Sequence, residues 1–236
     1  MTTFAVRHSS EADRCFLAYA AHELRGSITI QRTLAEVALA DPDADTVALR
    51  AMGAQVAAAC ERQERLLEAL LTLARSEYGH LRRETVDLAS IADEVLRTYV
   101  PRELKRSATL EPARTVGDPR LIERLVANLV ANAVRHNIPG GRVDVATYTD
   151  AGCASLTIAN TGPVIPAGEL NRLFQPFQRL GSHPRRLADG VGLGLTIVRA
   201  IANAHDATVT AHARRAGGLR IEIEFVAGNS SEQVAA

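Results

Sequence analysis

Two long apolar-periodic segments, separated by the break Asp41-Pro42-Asp43-Ala44-Asp45, constrain this chain more than any other feature. Pro42 cannot continue a helix, and Asp45 or Thr46 can cap the next one. The pattern predicts one helix from about Glu11 to Ala40 and a second from about Thr46 to Ser76. In the second, Leu49, Met52, Val56, Ala59, Leu66, Leu70 and Leu73 keep three-four spacing, with Gln63 at the one polar core position. That is a coiled-coil-like seam. Two such helices joined by a short turn form an antiparallel hairpin with more apolar surface than one copy covers. Pairing two hairpins into a four-helix bundle buries it, so a homodimer is expected. The alternative is that the rest of the same chain covers the seam.

Composition narrows the class. The 236 residues suffice for one large domain or two small ones with cores of their own. Net charge is formally zero, so no basic field advertises nucleic acid or an anionic membrane. The 47 % hydrophobic content with only 4 % aromatics and no Trp suits Ala/Leu/Val-rich helices. No apolar run approaches the roughly 18–20 residues that span a bilayer. The start, MTTFAVRHSS, lacks the apolar stretch of a signal peptide. Cys15, Cys60 and Cys153 are odd in number and far apart, which reads as free thiols in a reducing cytosol.

Around Tyr78-Gly79-His80 the pattern changes. A short strand near Glu84 is expected, then a helix over about Leu88–Val100, a strand over Ser107–Glu111 and a helix over Pro119–His136. Strands near Arg142–Thr149 and Ala154–Ala159 follow, then a loop-rich stretch, a helix over Gly192–His205 and closing strands near Thr208–Ala213 and Leu219–Val226. Mixed strands with helices on one face indicate an α/β sandwich, making the whole chain α+β. The expected domains are 1–80, 81–228 and a small, polar, disordered tail from 229 to 236.

Within the first helix, FLAYAAHELRG places Phe16, Ala20, Leu24 and Ile28 on one face. His22 and Glu23 then point elsewhere, toward solvent or a partner. A neutral imidazole is a good nucleophile near pH 7, and the adjacent carboxylate is placed to accept its ring proton. Alone, the pair is equally an ordinary His–Glu pair on a solvated helix.

In the helix after Asp118-Pro119, Ile122, Val126, Leu129, Val130 and Ala133 form the core stripe at about 100° per residue. Asn128, Asn132, Arg135 and His136 fall together on the other side. Two amides, a guanidinium and an imidazole facing one way suit a polyphosphate and a hydrated, oxygen-seeking metal such as Mg²⁺. A solvated face is the plainer account of Arg135 and His136, less so of two Asn inside a helix, where Asn is disfavoured. Further on, Asp189-Gly190-Val191-Gly192-Leu193-Gly194-Leu195 sets three alternate glycines at a helix start, leaving backbone N–H groups for an anion. A Rossmann site is the obvious competitor, but the element order and the missing ribose-binding acid speak against it, and no P-loop sequence is present.

These stretches, in order, resemble the sensor histidine kinases. His22-Glu23-Leu24-Arg25 is similar to the phosphoacceptor box F-x-x-x-x-S-H-E-L-R-T-P-L, with departures at Ala21, Gly26, Ser27 and Ile28. NLVANAVRHN resembles the asparagine box, in which the residue matching Asn132 ligates Mg²⁺ and those matching Arg135 and His136 lie on the phosphate side. Related ATP hydrolases carry a water-activating Glu where Asn128 stands, and an amide is no base. IANTGPVIP resembles the first glycine box D-x-G-x-G-I, with Asn160 for Asp, Gly162 kept and Val164 for the second Gly. The family Asp accepts a hydrogen bond from the adenine amine, and Asn160 keeps a carbonyl acceptor. Leu173-Phe174-Gln175-Pro176-Phe177 matches F-x-P-F, and the stretch from Gly190 through Gly192 and Gly194 to Leu195 resembles the second glycine box. Residues 178–189, with Arg179, Arg185 and Arg186, read as a loop whose cations close over phosphates.

The resemblance spans about residues 11 to 226. It implies a dimeric kinase core that transfers the γ-phosphoryl of Mg-ATP to His22, with Glu23 as base, and passes it to an aspartate of a response regulator. It also implies a cytoplasmic location, as a free chain or as the soluble part of a membrane sensor. Gly26 stands where the family often has Thr or Asn to orient the water that dephosphorylates the regulator. Weak phosphatase activity is therefore expected. The competing reading is a degenerate, non-catalytic dimer scaffold that binds nucleotide, motivated by the departures at Ala21, Gly26, Ser27, Asn160 and Val164.

Overall fold

The computed structural model describes residues 10–41, 45–78, 81–178 and 192–228. Among these, the Cα framework separates into two compact units, one ending at Leu71 and one beginning at Thr72. Each is taken by itself.

The first unit is built from helix α1 (Ser10–Ala40) and most of helix α2 (Thr46–Tyr78). Asp45 accepts a hydrogen bond from the Ala48 N–H at 2.7 Å and so caps α2, as its position after the break predicts. Gln31 of α1 donates from Nε2 to Gln63 Oε1 at 3.4 Å and to Cys60 Sγ at 3.5 Å on α2. Gln63 is indeed the polar core position: its Nε2 is buried with no partner among the described residues. Ala59, Leu66 and Ala69 are buried, Met52, Val56 and Leu70 half-buried, and Leu49 is exposed. The predicted seam therefore opens at its Leu49 end and includes Ala69, which the pattern omitted. On α1 the inward stripe runs through Leu24, Gln31, Leu34, Ala35 and Ala38, while Ile28 is exposed. Strict four-residue spacing drifts about 40° per step around a helix of 3.6 residues per turn, which carries Ile28 off the face. Side chains of Phe16, Ala20, Leu73 and Cys15 lie outside the described residues, whereas Cys60 and Cys153 are free thiols.

The second unit is an α/β sandwich. Strand β1 (Glu84–Asp87) leads into α3 (Leu88–Tyr99), followed by β2 (Lys105–Leu110), β3 (Arg114–Gly117), α4 (Pro119–Arg135), β4 (Arg142–Asp150) and β5 (Cys153–Asn160). A 3₁₀ helix (Ala167–Phe174), α5 (Gly194–Ala204), β6 (Thr208–Ala213) and β7 (Leu219–Val226) complete it. The main sheet has the order β2-β4-β5-β7-β6, with β2 and β4 parallel and the other neighbours antiparallel. Strands β1 and β3 form a separate antiparallel pair. β3 was not expected, because four residues between Pro112 and the Asp118-Pro119 cap are too short to show a period. Thr115 ties it to the main sheet by donating from Oγ1 to the Val226 carbonyl at 2.8 Å.

Period-two alternation sets the core. Along β7, Leu219, Ile221, Ile223 and Phe225 point inward while Arg220, Glu224 and Val226 are exposed. Ile122, Leu125, Val126, Leu129 and Val130 of α4 and Ile197, Val198 and Ile201 of α5 are buried as well. The stretch expected as loop between β5 and α5 contains the 3₁₀ helix instead. The expected tail, residues 229–236, lies outside the described residues, and Gly228 still donates to the Arg114 carbonyl at 2.9 Å.

Candidate functional site

Helix α4 is held at both ends. Asp118 accepts hydrogen bonds from the Arg120 and Leu121 N–H groups, and Pro119 fills the first turn, where its missing N–H matters least. The Asp118 N–H donates to His205 Nε2 at 3.0 Å, and His205 Nδ1 lies 2.7 Å from the Ile201 carbonyl. Nε2 accepts, so Nδ1 carries the proton and the ring is neutral. This buried imidazole links the start of α4 to the end of α5. A side chain at Gly117 would collide with it.

Along α4 the two asparagines behave differently. Asn128 donates from Nδ2 to the Arg124 carbonyl at 2.8 Å. This turns its Oδ1 toward Gly194, at 3.5 Å from where a Cβ would stand. Asn132, one turn further on, is half-buried, and its amide makes no hydrogen bond among the described residues. At the helix end Arg135 and His136 are exposed, as a solvated or phosphate-facing pair would be.

The end of β5 returns to this helix. Asn160, 4 % exposed, donates from Nδ2 to the Thr161 carbonyl at 2.7 Å and the His136 carbonyl at 3.4 Å. Both amide protons are thus committed, and Oδ1 remains as an acceptor. Gly162 must be glycine: a Cβ there would press on the His136 carbonyl. Thr161 donates from Oγ1 to Asn137 Oδ1 at 2.6 Å and accepts from the Arg142 N–H at 2.7 Å.

The second glycine segment faces the same helix. Gly192 has φ +77°, which an L side chain rarely adopts, and its carbonyl accepts from the Phe177 N–H at 3.0 Å. Leu193 caps α5 without any side-chain hydrogen bond, so among the described residues no side chain takes up the first N–H groups at the positive end of that helix. Leu195 instead turns inward at 7 % exposure and contributes packing. Gly190 and the arginines 179, 185 and 186 lie outside the described residues. So do the side chains of His22 and Glu23, although α1 runs through both as helix. The structure thus gathers Asn128, Asn132, His136, Asn160, Gly162 and Gly194 on or against α4, with Gly192 packed on Phe177 just before α5.

Residues 117–228 match the family of histidine kinase-, DNA gyrase B- and HSP90-like ATPases. The sensor protein CutS of Streptomyces coelicolor is 43 % identical over 217 residues, covering 90 % of this chain and 52 % of CutS. The signal transduction histidine-protein kinase/phosphatase MprB of Mycobacterium sp. (strain KMS) is 33 % identical over 95 % of this chain and 43 % of its own length. Among solved structures, the mycobacterial sensor histidine kinase MprB superposes with TM-score 0.55 at 31 % identity, over 61 % of this chain and 97 % of that one. The chain belongs to the sensor histidine kinase family. The histidine kinase AdeS of Acinetobacter baumannii superposes more extensively, with TM-score 0.66 at 26 % identity over 88 % of this chain and 98 % of that one. The sensor histidine kinase fold therefore accounts for the hairpin followed by the α/β sandwich. The chain spans about half the length of the curated relatives it matches. Among the described residues, no helix is long and apolar enough to cross a membrane.

Four features of the site escaped the motif reading: His205, Gly117, the Asn137–Thr161 pair and the double glycine Gly217-Gly218. Only the double glycine carried a visible signal, a pair of glycines between two strand patterns.

A divalent cation fits this site only in one form. Among the described residues there is no cluster of three or more His, Cys, Asp or Glu to cage a metal. Asn132 offers a single neutral amide oxygen. Mg²⁺, which keeps several waters and takes most of its protein-side charge from substrate phosphates, suits that donor set.

Proposed function

We propose that this chain is the kinase core of a two-component system, with His22 as phosphoacceptor and the α4–α5 site as the ATP site. The observation that carries the reading is the Asn160 amide. With both protons held by carbonyls, it presents only an acceptor, the complement of the adenine 6-amine, at the end of the same helix α4 that carries Asn132 and, through Asn128, approaches Gly194 at the start of α5. Asn132 would hold Mg²⁺, which supplies charge neutralisation on the phosphates. Arg135, His136 and the N–H groups after Gly192 and Gly194 bind and orient the polyphosphate. Gly190 completes that glycine segment.

In the reaction, a ring nitrogen of neutral His22 attacks the γ-phosphorus of ATP and the bond to the bridging oxygen breaks, releasing ADP. Glu23 accepts the ring proton, leaving a phosphoramidate. The phosphoryl group then moves to a carboxylate oxygen of a response-regulator aspartate. Most of the rate comes from positioning and charge neutralisation. Asn128 cannot activate water as a carboxylate would, which favours transfer to a side chain over hydrolysis. Residues 1–80 serve as the dimerisation and phosphotransfer domain, 81–228 as the ATP-binding domain and 229–236 as a tail. The exposed Ile28, Leu49, Leu67 and Leu71 support closure of the bundle by a second copy. The chain works in the cytoplasm, and Gly26, lacking any side chain to orient water, keeps regulator phosphatase activity weak.

Incubation with γ-labelled ATP and Mg²⁺ tests this directly. The expected product is labelled protein, acid-labile and alkali-stable. His22→Gln abolishes the label while nucleotide binding persists. Label surviving acid, or persisting in His22→Gln, refutes the assignment.

A further inference from the structure

The outer face of the sheet carries a charged group that the reaction above does not use. Asp144 lies on β4 between the inward-pointing Val143 and Val145. Its two oxygens face two arginines: Arg142 Nε is 2.7 Å from Oδ1, and Arg214 Nη1 is 3.7 Å from Oδ2. The Asp144 and Arg214 side chains are only 29 % and 28 % exposed. Arg214 Nη1 is itself buried and makes no hydrogen bond among the described residues, so its charge is balanced by Asp144.

Both arginines reach the Asn160 segment through their backbones. Arg142 accepts from the Thr161 N–H at 3.0 Å and donates its own N–H to Thr161 Oγ1 at 2.7 Å. Arg214 closes the β6–β7 turn: its N–H donates to the Gly218 carbonyl and its carbonyl accepts from the Gly217 N–H, each at 3.0 Å. That turn lies directly on the segment. Gly218 donates to the Pro163 carbonyl at 2.9 Å. With φ of +88° and +94°, Gly217 and Gly218 come so close that a Cβ on either would overlap the Gly162 or Asn160 carbonyl. The links form a closed circuit from Arg142 through Asp144, Arg214, Gly218 and Pro163 to Thr161 and back, with Asn160 inside it.

We propose that Arg142, Asp144 and Arg214 act as a positioning clamp that holds Asn160 where its Oδ1 reads the 6-amine of the purine. The proposal rests on the adenine site assigned above. Every other link in the circuit uses at least one backbone group, whereas Asp144 joins the two strands through ion pairs. Removing Asp144 leaves Arg214 Nη1 buried without its counter-charge, and the turn that backs Asn160 loses its tether. A hydrogen bond tolerates only a few tenths of an ångström of displacement, so the amine contact weakens first.

The test compares, in the full chain with Mg²⁺, the affinities for ATP and for purine riboside triphosphate, which lacks only the 6-amine. Wild type is expected to prefer ATP about tenfold, the value of one hydrogen bond. Asp144→Asn and Arg214→Gln are expected to lower ATP affinity alone and bring the preference close to unity, with Arg214→Lys between them and wild type. A merely structural lesion would weaken both nucleotides together and keep the ratio. If Asp144→Asn does not fold, Arg214→Gln reads the same quantity. A preference that is lost in Asn160→Ala yet kept in the clamp variants overturns the clamp and spares the adenine site. No preference in wild type overturns both.

Discussion

In the α/β unit, Ile223, Phe225 and Leu129 are at most 2 % exposed, whereas in the hairpin Leu39 is 87 % and Val47 74 % exposed. The same residue types meet opposite fates in one chain. Three helices and a sheet enclose a core on their own: the inward row of β7 and the apolar stripes of α4 and α5 are all buried within one copy. Two helices have only one contact line between them, so a broad apolar stripe on either leaves part of itself outside. Among the described residues, the sandwich buries its apolar rows within one copy, whereas the hairpin leaves Leu39 and Val47 exposed. Stability in the first unit should therefore depend on association, and in the second on packing within the chain.

Truncating a core side chain is the harshest test of that contrast. Ile223→Ala, in the middle of β7, should destabilise the α/β unit by about 2–5 kcal/mol in denaturant unfolding, while Leu39→Ala, in the other unit, changes the stability of the α/β unit by no more than about 0.5 kcal/mol. A small effect at Ile223 would mean that the sandwich is not self-supporting. The next largest effect is on association. Leu67 and Leu71 are each about half exposed, one turn apart on α2. Changing both to Glu should raise the dimer dissociation constant at least about tenfold in sedimentation equilibrium, given about 1 kcal/mol or more for each buried leucine. Ile223→Ala should leave that constant unchanged. An unaltered dimer in the double Glu variant would place the contact on another face.

The two units also differed in how much of them the sequence made legible. Helix ends were readable where a cap or breaker stands: α1 ends at Ala40, just before the predicted break, Asp45 caps α2, and Asp118-Pro119 starts α4. The closing strands were readable because Leu219 to Val226 alternates without interruption. What escaped were features decided by distant partners. β3 exists because Glu84–Asp87 pairs with it, and Ile28 is outside because the inward stripe follows Gln31 and Leu34. At the site, the motif order was legible, and so was the amide of Asn160, which the structure buries with Nδ2 on two carbonyls. The carbonyls of His136 and Thr161 that orient it were not, since backbone acceptors have no signature in side-chain identity. His205 and Asp144 were invisible for a related reason: the partner of one is a backbone N–H on another element, and Asp144 needs an arginine far along the chain.

Gly26 probes the hairpin from the side of local propensity. It lies inside continuous helix, and a methyl group added there would meet nothing within 4 Å, so alanine fits without strain. Glycine costs about 1 kcal/mol in a helix interior relative to alanine. Gly26→Ala should raise the stability of the helical transition, followed by far-UV circular dichroism, by about 0.5–1 kcal/mol. A loss instead would show that α1 needs a bend there, in the place where the family has a proline one residue on. Buried positions of the sandwich should show no such gain from propensity alone.

The smallest effect belongs to the outer face of the sheet. Tyr148 on β4 donates its hydroxyl to Glu222 Oε1 on β7, which also accepts from Thr157 Oγ1 at 3.3 Å on the strand between them. The hydrogen bond to Glu222 is the main cause that raises the phenol above its ordinary value, with burial and the carboxylate charge adding to it. A raised folded value means that the protonated phenol stabilises the fold. That contribution is complete below the unfolded phenol's value of about 10 and is lost as pH climbs from there through the folded value. Wild type should therefore exceed Tyr148→Phe in stability by a constant margin up to about pH 10, and the margin should close above it. Because the pair is partly solvated, the margin is small and should not depend on the dimer. A margin that persists undiminished well above pH 10 would show that Glu222 does not hold the phenol proton, and that Tyr148 contributes through its ring alone.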